Sequence, residues 1–125
     1  MGRILIVDDD ADGCEALLRF LKQAGHEVEC APNGKKALSA VIDHAPDLVV
    51  LDLFMPEMDG LGLLEVLRSY LRLQSLPVII LTGLPDGPLV ERARQLNVNS
   101  IFVKGKASFD EISRAVEDQL HRVPT

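Results

Sequence analysis

Charged and hydroxyl side chains stand directly after four of the five short apolar runs in the sequence. Asp8 and Asp9 follow the first run, Asp52 the third, Thr82 the fourth and Lys104 the fifth. If these runs are neighbouring strands of a parallel sheet, their carboxyl ends meet at the edge where such sheets bind ligands. We therefore predict that the five side chains line a single pocket.

The chemical types of these side chains suit phosphoryl transfer assisted by Mg2+. Neighbouring carboxylates repel one another unless a cation lies between them, and a few carboxylates with water suit Mg2+ better than Ca2+. Asp8 and Asp9 are the predicted metal ligands. Asp52 is the candidate nucleophile, which would form an aspartyl phosphate. Lys104 would neutralise the phosphoryl oxygens together with the metal, and Thr82 would donate a hydrogen bond to one of them.

The whole chain alternates between strand and helix patterns. The predicted strands are Arg3–Val7, Glu27–Ala31, Leu48–Leu51, Val78–Leu81 and Ser100–Val103. After each strand we predict a helix, and most of these segments carry apolar residues every three or four positions, as on a buried helix face. These faces carry Cys14, Leu17, Leu18 and Leu21; Leu38, Val41 and Ile42; Leu64, Leu67 and Leu71; and Phe109, Ile112, Val116 and Leu120, while Pro88 marks a short fourth helix. The alternation predicts an α/β fold with an open parallel sheet covered on both faces.

Length, composition and charge indicate one domain and exclude some partners. The chain has 125 residues, of which 47% are hydrophobic and 26% charged, and we predict one domain over 1–125 without an effector domain. The net charge of -6 argues against direct binding to nucleic acid or an anionic membrane, because an acidic surface repels phosphate. The apolar runs are far shorter than the roughly 20 residues of a membrane span, and we expect a cytoplasmic protein.

The cysteines and histidines offer no further site at this level. Cys14 and Cys30 lack metal-ligand spacing, so we expect both to be reduced packing residues. His26, His44 and His121 have no partner spacing, and we expect them to face solvent without a functional role.

Several motifs together resemble the response-regulator receivers of two-component signalling. They are Ile-Leu-Ile-Val-Asp-Asp from Ile4, the segment Pro46–Gly60 with its Asp, Met-Pro and Asp-Gly, Leu81-Thr-Gly, and Lys104. The resemblance covers essentially the whole chain, and the second motif is the most specific. It implies a flavodoxin-like doubly wound sheet in the order 2-1-3-4-5. It also implies a sensor histidine kinase or phosphotransfer protein as phosphodonor, and an output partner or effector domain that the sequence leaves unidentified.

The resemblance also implies a role for each site residue. Asp52 corresponds to the phosphoacceptor, and Thr82 and Lys104 to the contacts of the phosphoryl group. Asp9 and Asp52 correspond to direct Mg2+ ligands, together with the backbone carbonyl of Phe54, and Asp8 corresponds to a ligand that acts through water. Such a protein catalyses phosphorylation of its own chain and is not a turnover enzyme.

The sequence departs from the family pattern at three kinds of position. Gly105 stands where receivers commonly carry proline, often after a cis bond, so Lys104 is expected to be less rigidly aimed. Ile101 replaces an aromatic residue that couples phosphorylation to the output face, and Phe102 should point to the other side of the sheet. Phe54 and Leu84 are both apolar and cannot orient a water, which predicts slow hydrolysis of the acyl phosphate. Because Ile101 is not aromatic, we expect Thr82 and the loop after it to switch conformation without an aromatic partner.

Two other functions are compatible with parts of the pattern. The departures at Ile101 and Gly105 would permit a receiver-like interaction module that binds partners without phosphorylation, although the intact acidic pocket argues against it. A phosphohydrolase with an aspartate nucleophile would need an acid two residues later, and Phe54 cannot protonate a leaving group. A homodimer through the fourth helix, fifth strand and fifth helix stays open.

Overall fold

The computed structural model describes residues 2–55, 60–83, 86–98 and 100–121, which form one five-stranded sheet flanked by helices. The strands are β1 (Arg3–Val7), β2 (Glu27–Ala31), β3 (Leu48–Leu51), β4 (Val78–Thr82) and β5 (Ser100–Val103). The helices are α1 (Ala11–Gln23), α2 (Gly34–Asp43), α3 (Gly60–Ser69), α4 (Pro88–Gln95) and α5 (Phe109–Leu120), with a 3-10 turn at Leu71–Leu73. None of the described helices has the length and apolar character of a membrane span.

The sheet is entirely parallel and has the strand order β2-β1-β3-β4-β5. The chain therefore leaves β1 first towards one edge and then returns past it to β3. The strand order reverses between β1 and β3, and the carboxyl ends of these two strands form the crevice in which doubly wound sheets bind ligands. This architecture confirms the predicted fold class and strand order.

Apolar residues on both faces of the central strands explain why helices cover the sheet on both sides. All four residues of β3 are buried, and alternate residues belong to two separate cores. Val49 and Leu51 join the core with α2, α3 and α4, whereas Leu48 and Val50 join the core with α1 and α5. Continuous apolar runs are typical of strands that are buried on both faces.

The helix ends that surround the site follow from local capping residues. Asp10 caps α1, where its carboxylate accepts a hydrogen bond from the backbone of Gly13. Pro88 occupies the first turn of α4, which is only eight residues long, as predicted. Ser108 and Glu111 form a capping box at the start of α5. The starts of these three helices are therefore set by residues that favour a helix N-terminus.

Three apolar residues that the periodicity places on buried helix faces are exposed. The side chain of Leu71 is 86% exposed, because the α3 helix ends at Ser69 and Leu71 falls in the 3-10 turn. Ile42 is 58% exposed near the end of α2, where Val41 already fills the core position. Phe109 is 37% exposed at the first position of α5, whose buried residues are Ile112 and Val116. The expectation of buried side chains was wrong at these three positions.

The cysteines are also different from the expectation. Cys14 of α1 and Cys30 of β2 are joined by a disulfide, with their Cα atoms 6.5 Å apart. The prediction that both are reduced residues is therefore wrong. The two residues are 16 positions apart in sequence and meet because α1 packs against the edge strand β2.

His26 is buried, whereas the sequence analysis placed it in solvent. Its Nδ1 accepts a hydrogen bond of 3.1 Å from the Gly2 backbone, so this nitrogen carries no proton. Its Nε2 lies 2.7 Å from a carboxylate oxygen of Glu117 on α5, at the distance of an ion pair but without the geometry of a hydrogen bond. His26 thus links the start of the chain to the last helix.

Candidate functional site

Three carboxylates meet at the carboxyl ends of β1 and β3. Asp8 and Asp9 directly follow β1, and Asp52 directly follows β3. Each offers an oxygen atom, and these atoms lie within 4.8 Å of one another. Asp8 and Asp52 are buried, whereas Asp9 is exposed. The sequence prediction that these three side chains share one pocket is therefore matched by their positions.

Lys104 reaches the same pocket from the end of β5. Its Nζ atom lies 2.8 Å from an oxygen of Asp8 and 3.0 Å from an oxygen of Asp52. Burial by itself lowers the pKa of the Lys104 ammonium, but the hydrogen bonds to Asp8 and Asp52 outweigh it and raise the pKa above its usual value. A permanently charged ammonium therefore balances part of the negative charge of the two buried carboxylates.

The carboxylate of Asp52 is held by two donors in a site that excludes most water. Its second oxygen accepts a hydrogen bond of 3.1 Å from the backbone of Phe54, while the first accepts from Lys104. Burial raises the pKa of Asp52, and this effect outweighs the two hydrogen bonds, which lower it. The pocket thus places a carboxylate where its charge is costly and where further positive charge would stabilise it.

Backbone hydrogen bonds fix the segments that carry the acids. The Asp8 amide donates to the carbonyl of Ala31 on β2, and the Asp52 amide donates to the carbonyl of Val7 on β1. The carboxylate of Asp8 also accepts a hydrogen bond of 2.9 Å from the amide of Asp10. The acidic residues are therefore anchored to neighbouring strands and to the start of α1.

Thr82 is the last residue of β4 and has a fully buried side chain. Its hydroxyl has no hydrogen-bond partner among the residues that the structure describes. Its backbone carbonyl accepts a hydrogen bond of 2.7 Å from the amide of Lys104, which holds the ends of β4 and β5 together. A buried hydroxyl without a partner is costly, and a phosphoryl oxygen in the pocket would be a suitable acceptor.

The donor set of the pocket fits a hard divalent cation. Asp8, Asp9 and Asp52 supply only oxygen atoms, which Mg2+ prefers over nitrogen or sulfur ligands. The exposed position of Asp9 leaves one side of the cluster open to water, and Mg2+ usually keeps several water ligands. The predicted contribution of the Phe54 carbonyl stays a prediction, although the residue lies next to the cluster through its amide.

Gly60, named above only as the last residue of the Pro46–Gly60 motif, lies directly against the segment that carries Asp52. It is the first residue of α3, and its amide donates a hydrogen bond of 3.1 Å to the carbonyl of Leu53. A Cβ atom at this position would collide with the backbone of Asp52 and Leu53. The sequence signal was the glycine at the end of the loop after β3, but its reason is the close approach of two backbones. The preceding loop residues of this motif, 56–59, lie outside the described residues.

The departures at the end of β5 have clear structural consequences. Ile101 packs against the core with α4, whereas Phe102 packs against the core with α1 and α5, as the alternation of the strand predicts. Gly105 has a φ of 81°, a backbone conformation that proline cannot adopt. The described residues contain no cis peptide bond. The chain therefore turns after Lys104 through a left-handed glycine instead of a proline.

Comparison with known proteins gives one family and several similar structures. The family profile described as response regulator receiver domain matches residues 4–117. The response regulator MprA of Mycolicibacterium vanbaalenii is 45% identical over 81 residues, a region that covers 65% of this chain and 34% of that protein. The chain thus matches about a third of the length of these curated relatives.

Two solved structures are similar over nearly all of the chain. The signal receiver domain of a signal transduction histidine kinase from Syntrophus aciditrophicus has a TM-score of 0.88 and 31% identity, with 100% of this chain and 96% of that chain covered. A putative response regulator from Chloroflexus aurantiacus has a TM-score of 0.89 and 30% identity, with 97% and 98% covered.

Proposed function

The chain belongs to the response regulator receiver domains of two-component signalling, and on that premise we propose that it is a switch phosphorylated on Asp52. The phosphodonor is a phosphohistidine of a sensor histidine kinase or of a phosphotransfer protein. The observation that carries the proposal is the meeting of Lys104 with Asp8 and Asp52 at the buried edge of the sheet, at 2.8 and 3.0 Å. Such a set concentrates a nucleophile, further carboxylates and a fixed positive charge in one pocket.

The proposed reaction moves one phosphoryl group between two side chains. A carboxylate oxygen of Asp52 attacks the phosphorus atom, and the phosphorus–nitrogen bond of the donor phosphohistidine breaks. The electron pair of that bond remains on the imidazole, which takes up a proton. Lys104 neutralises negative charge on the phosphoryl oxygens. The hydroxyl of Thr82, which has no partner among the described residues, donates a hydrogen bond to one of them.

Asp8, Asp9 and Asp52 are the residues that would hold Mg2+, with the carbonyl of Phe54 as a further ligand. When bound, Mg2+ supplies positive charge that offsets the charge of the phosphoryl oxygens. Lys104 contributes a second positive charge from the end of β5, and its flexible side chain can move from the carboxylates to the phosphoryl group. The contact of Lys104 with Asp8 is thus an interaction of the unphosphorylated protein.

The proposed output is a change in partner binding and not a released product. The phosphoryl group stays on Asp52, so the protein is not a turnover enzyme. The phosphoryl group shifts the equilibrium between two conformations of the protein only to the extent that it interacts differently with each of them. Thr82 is the residue through which this difference would arise, because its hydroxyl has no partner among the described residues. We propose a cytoplasmic location, where the kinase domains of such systems present their phosphohistidine.

The direct test is phosphorylation with a small-molecule donor. The protein would be incubated with acetyl phosphate in Mg2+ or in EDTA, and its intact mass measured beside Asp52→Asn and Asp43→Asn variants. Asp43 is an exposed carboxylate at the end of α2 and serves as the matched control. We expect one added phosphoryl group in Mg2+ for the parent and Asp43→Asn, and none for Asp52→Asn or in EDTA.

The competing function is the interaction module that works without phosphorylation. If folded parent protein with bound Mg2+ gained no phosphoryl group, the proposal would be wrong and this module would replace it. Modification that persists in Asp52→Asn would instead show that another residue is the acceptor. If no phosphoryl group were gained, the departures from the family pattern at Ile101 and Gly105 would be the first features to test as its cause.

We also propose that the acyl phosphate on Asp52 hydrolyses slowly compared with the acyl phosphates of other receiver domains. The side chain of Phe54 is 41% exposed beside the acceptor and cannot position a water for attack. Leu84, the other apolar residue invoked for this prediction, lies outside the described residues. Rapid removal of the donor followed by timed mass spectra would give the lifetime, and we expect Phe54→Asn to shorten it. Loss of the phosphoryl group from the parent within seconds at neutral pH would refute slow hydrolysis.

A further inference from the structure

The disulfide between Cys14 and Cys30 connects two elements that flank the acidic cluster. Cys14 lies near the start of α1, and its amide donates a hydrogen bond of 3.0 Å to the carbonyl of Asp10. Cys30 lies on β2 directly opposite Ile6 of β1, one residue before Ala31. The carbonyl of Ala31 accepts the hydrogen bond from the Asp8 amide. One cysteine is therefore hydrogen-bonded to Asp10 at the start of α1, and the other is adjacent to Ala31 on β2. Both Asp10 and Ala31 are hydrogen-bonded to Asp8.

We propose that Cys14 and Cys30 are a reversible redox site, which exchanges with low-molecular-weight thiols and disulfides and adjusts the cation affinity of the acidic cluster. In the oxidising direction a small-molecule disulfide accepts two electrons and two protons from the two cysteine thiols and becomes two thiols. The sulfur–sulfur bond of the protein forms as that of the reagent breaks. The reverse reaction restores both cysteines.

The two cysteines differ in solvent exposure, and this difference assigns their roles in the exchange. Cys14 is 3% exposed and packs in the core between α1, α5 and the sheet, whereas Cys30 on the edge strand is partly exposed. An external thiol therefore reaches the sulfur of Cys30, forms a mixed disulfide there and releases Cys14 as the leaving thiolate. In the oxidising direction Cys30 is modified first, and Cys14 then displaces the small thiol.

The effect on the acidic cluster follows from the connections on both sides of Asp8. Asp8 is hydrogen-bonded to Ala31 through its amide and to the amide of Asp10 through its carboxylate. With the disulfide closed, α1 and β2 are covalently joined, so these two anchors cannot move apart. With the thiols free, the start of α1 gains freedom relative to β2. The oxidised protein therefore holds its carboxylates closer to the arrangement that binds a cation, which lowers the ordering cost of binding.

This coupling rests on the metal site of the proposed function, whereas the disulfide itself does not. The proposed cytoplasmic location favours a reversible bond, because disulfides of mesophilic cytosolic proteins are usually transient and redox-sensing. Cys30 also stands one residue before the carbonyl that anchors Asp8, so a change at its side chain is transmitted through a single peptide unit.

The chemistry of the cysteines would be tested by intact mass after incubation in oxidised or reduced glutathione and acid quenching. We expect the parent to lose two hydrogens in oxidised glutathione and to regain them in reduced glutathione. Cys14→Ala should accumulate a glutathione adduct on Cys30, and Cys30→Ala should form little adduct on the buried Cys14. A parent that never forms the internal disulfide, or equal adducts on the two single variants, would contradict the proposal.

The coupling would be tested by titrating Mg2+ into the oxidised and reduced protein and following heat release. We expect about two- to tenfold tighter binding in the oxidised form. The Cys14→Ala/Cys30→Ala double variant should show one affinity in both buffers. Equal affinities of the two parent forms would refute the coupling and leave the proposed function intact. Absence of Mg2+ binding in both forms would refute the metal site of the proposed function and the coupling with it, while the mass measurement would still decide the disulfide.

Discussion

Replacing Lys104 by methionine should destabilise the protein without metal much more than the protein with Mg2+. The ammonium of Lys104 lies 2.8 Å from Asp8 and 3.0 Å from Asp52, and both carboxylates are buried. Methionine retains most of the apolar stem, so the main loss is the positive charge. Without it, two buried carboxylates face each other with no cation between them.

The magnitude follows from how far the ion pairs are shielded from water. Removing one partner of a fully buried pair costs about 3–5 kcal/mol, and an exposed pair contributes at most about 1 kcal/mol. The side chain of Lys104 is 31% exposed, while its partners are nearly inaccessible. We therefore expect the free energy of unfolding in EDTA to fall by about 1–3 kcal/mol.

Mg2+ should recover most of this loss, because the cation and the ammonium interact with the same oxygens. By linkage, a coupling of about 1–3 kcal/mol corresponds to about 5–150-fold tighter Mg2+ binding by the variant than by the parent. Saturation with Mg2+ stabilises a folded protein by about 2.7 kcal/mol at a hundred times Kd. The variant would therefore gain more from Mg2+ than the parent gains.

Urea denaturation in EDTA and in saturating Mg2+ would measure the four free energies of this cycle. Lys106→Met is the matched control, because Lys106 is an exposed lysine two residues later with no ion pair among the described residues. We expect this control to change stability by no more than about 0.5 kcal/mol in either condition. An equal loss for Lys104→Met with and without Mg2+ would refute the reasoning, as would no loss in EDTA.

The remaining predictions concern the stability of the metal-free protein, measured by urea denaturation. Burial raises the pKa of Asp52 above its ordinary value of 3.8, so this carboxylate costs stability increasingly as pH rises from there through its folded-state pKa. Asp52→Asn should therefore raise the free energy of unfolding by about 0.5–2 kcal/mol at pH 7. If the gain persisted below the ordinary pKa of 3.8, the buried charge of Asp52 would not be its cause. Gly60→Ala should cost about 3 kcal/mol because its Cβ would meet backbone, whereas Gly83→Ala, where a Cβ meets nothing within 4 Å, should cost less than about 0.5 kcal/mol. Similar losses for the two glycines would show that crowding is not the cause. Replacing the buried His26 by leucine should cost about 2 kcal/mol and replacing the exposed His44 almost nothing, so a neutral effect at the first would mean that its polar contacts do not stabilise the fold.

The strand ends were accessible from sequence because they depend on local patterns, whereas the strand order of the sheet was implied by the resemblance to the receiver family. β3 is apolar along its whole length and is followed at once by Asp52, which indicates a central strand with a polar end. The same reasoning placed Asp8, Thr82 and Lys104 at strand ends. Neighbouring ends of a parallel sheet must converge, so the pocket followed without any knowledge of distances.

The contacts that the sequence analysis missed connect elements that are far apart along the chain. His26 precedes β2, but the Glu117 carboxylate 2.7 Å from its Nε2 atom lies on α5, and no spacing rule relates the two residues. Cys14 and Cys30 meet only because α1 packs against β2. Leu71 fits the periodicity of the preceding helix, but that helix ends two residues earlier. Periodicity predicts a face only as long as the helix continues.

The turn after Lys104 shows how a site can be held by a different device from the one expected. The amide of Lys104 is bound to Thr82, and the carbonyl of Val103 accepts hydrogen bonds from the amides of Lys106 and Ala107. Gly105 closes this turn with a φ of 81° and has space around it, so its requirement is conformational and not steric. Backbone hydrogen bonds on both sides of the lysine therefore replace the restriction that a proline would impose. The ammonium reaches both carboxylates in this arrangement, so the missing proline is not an argument against phosphoryl transfer.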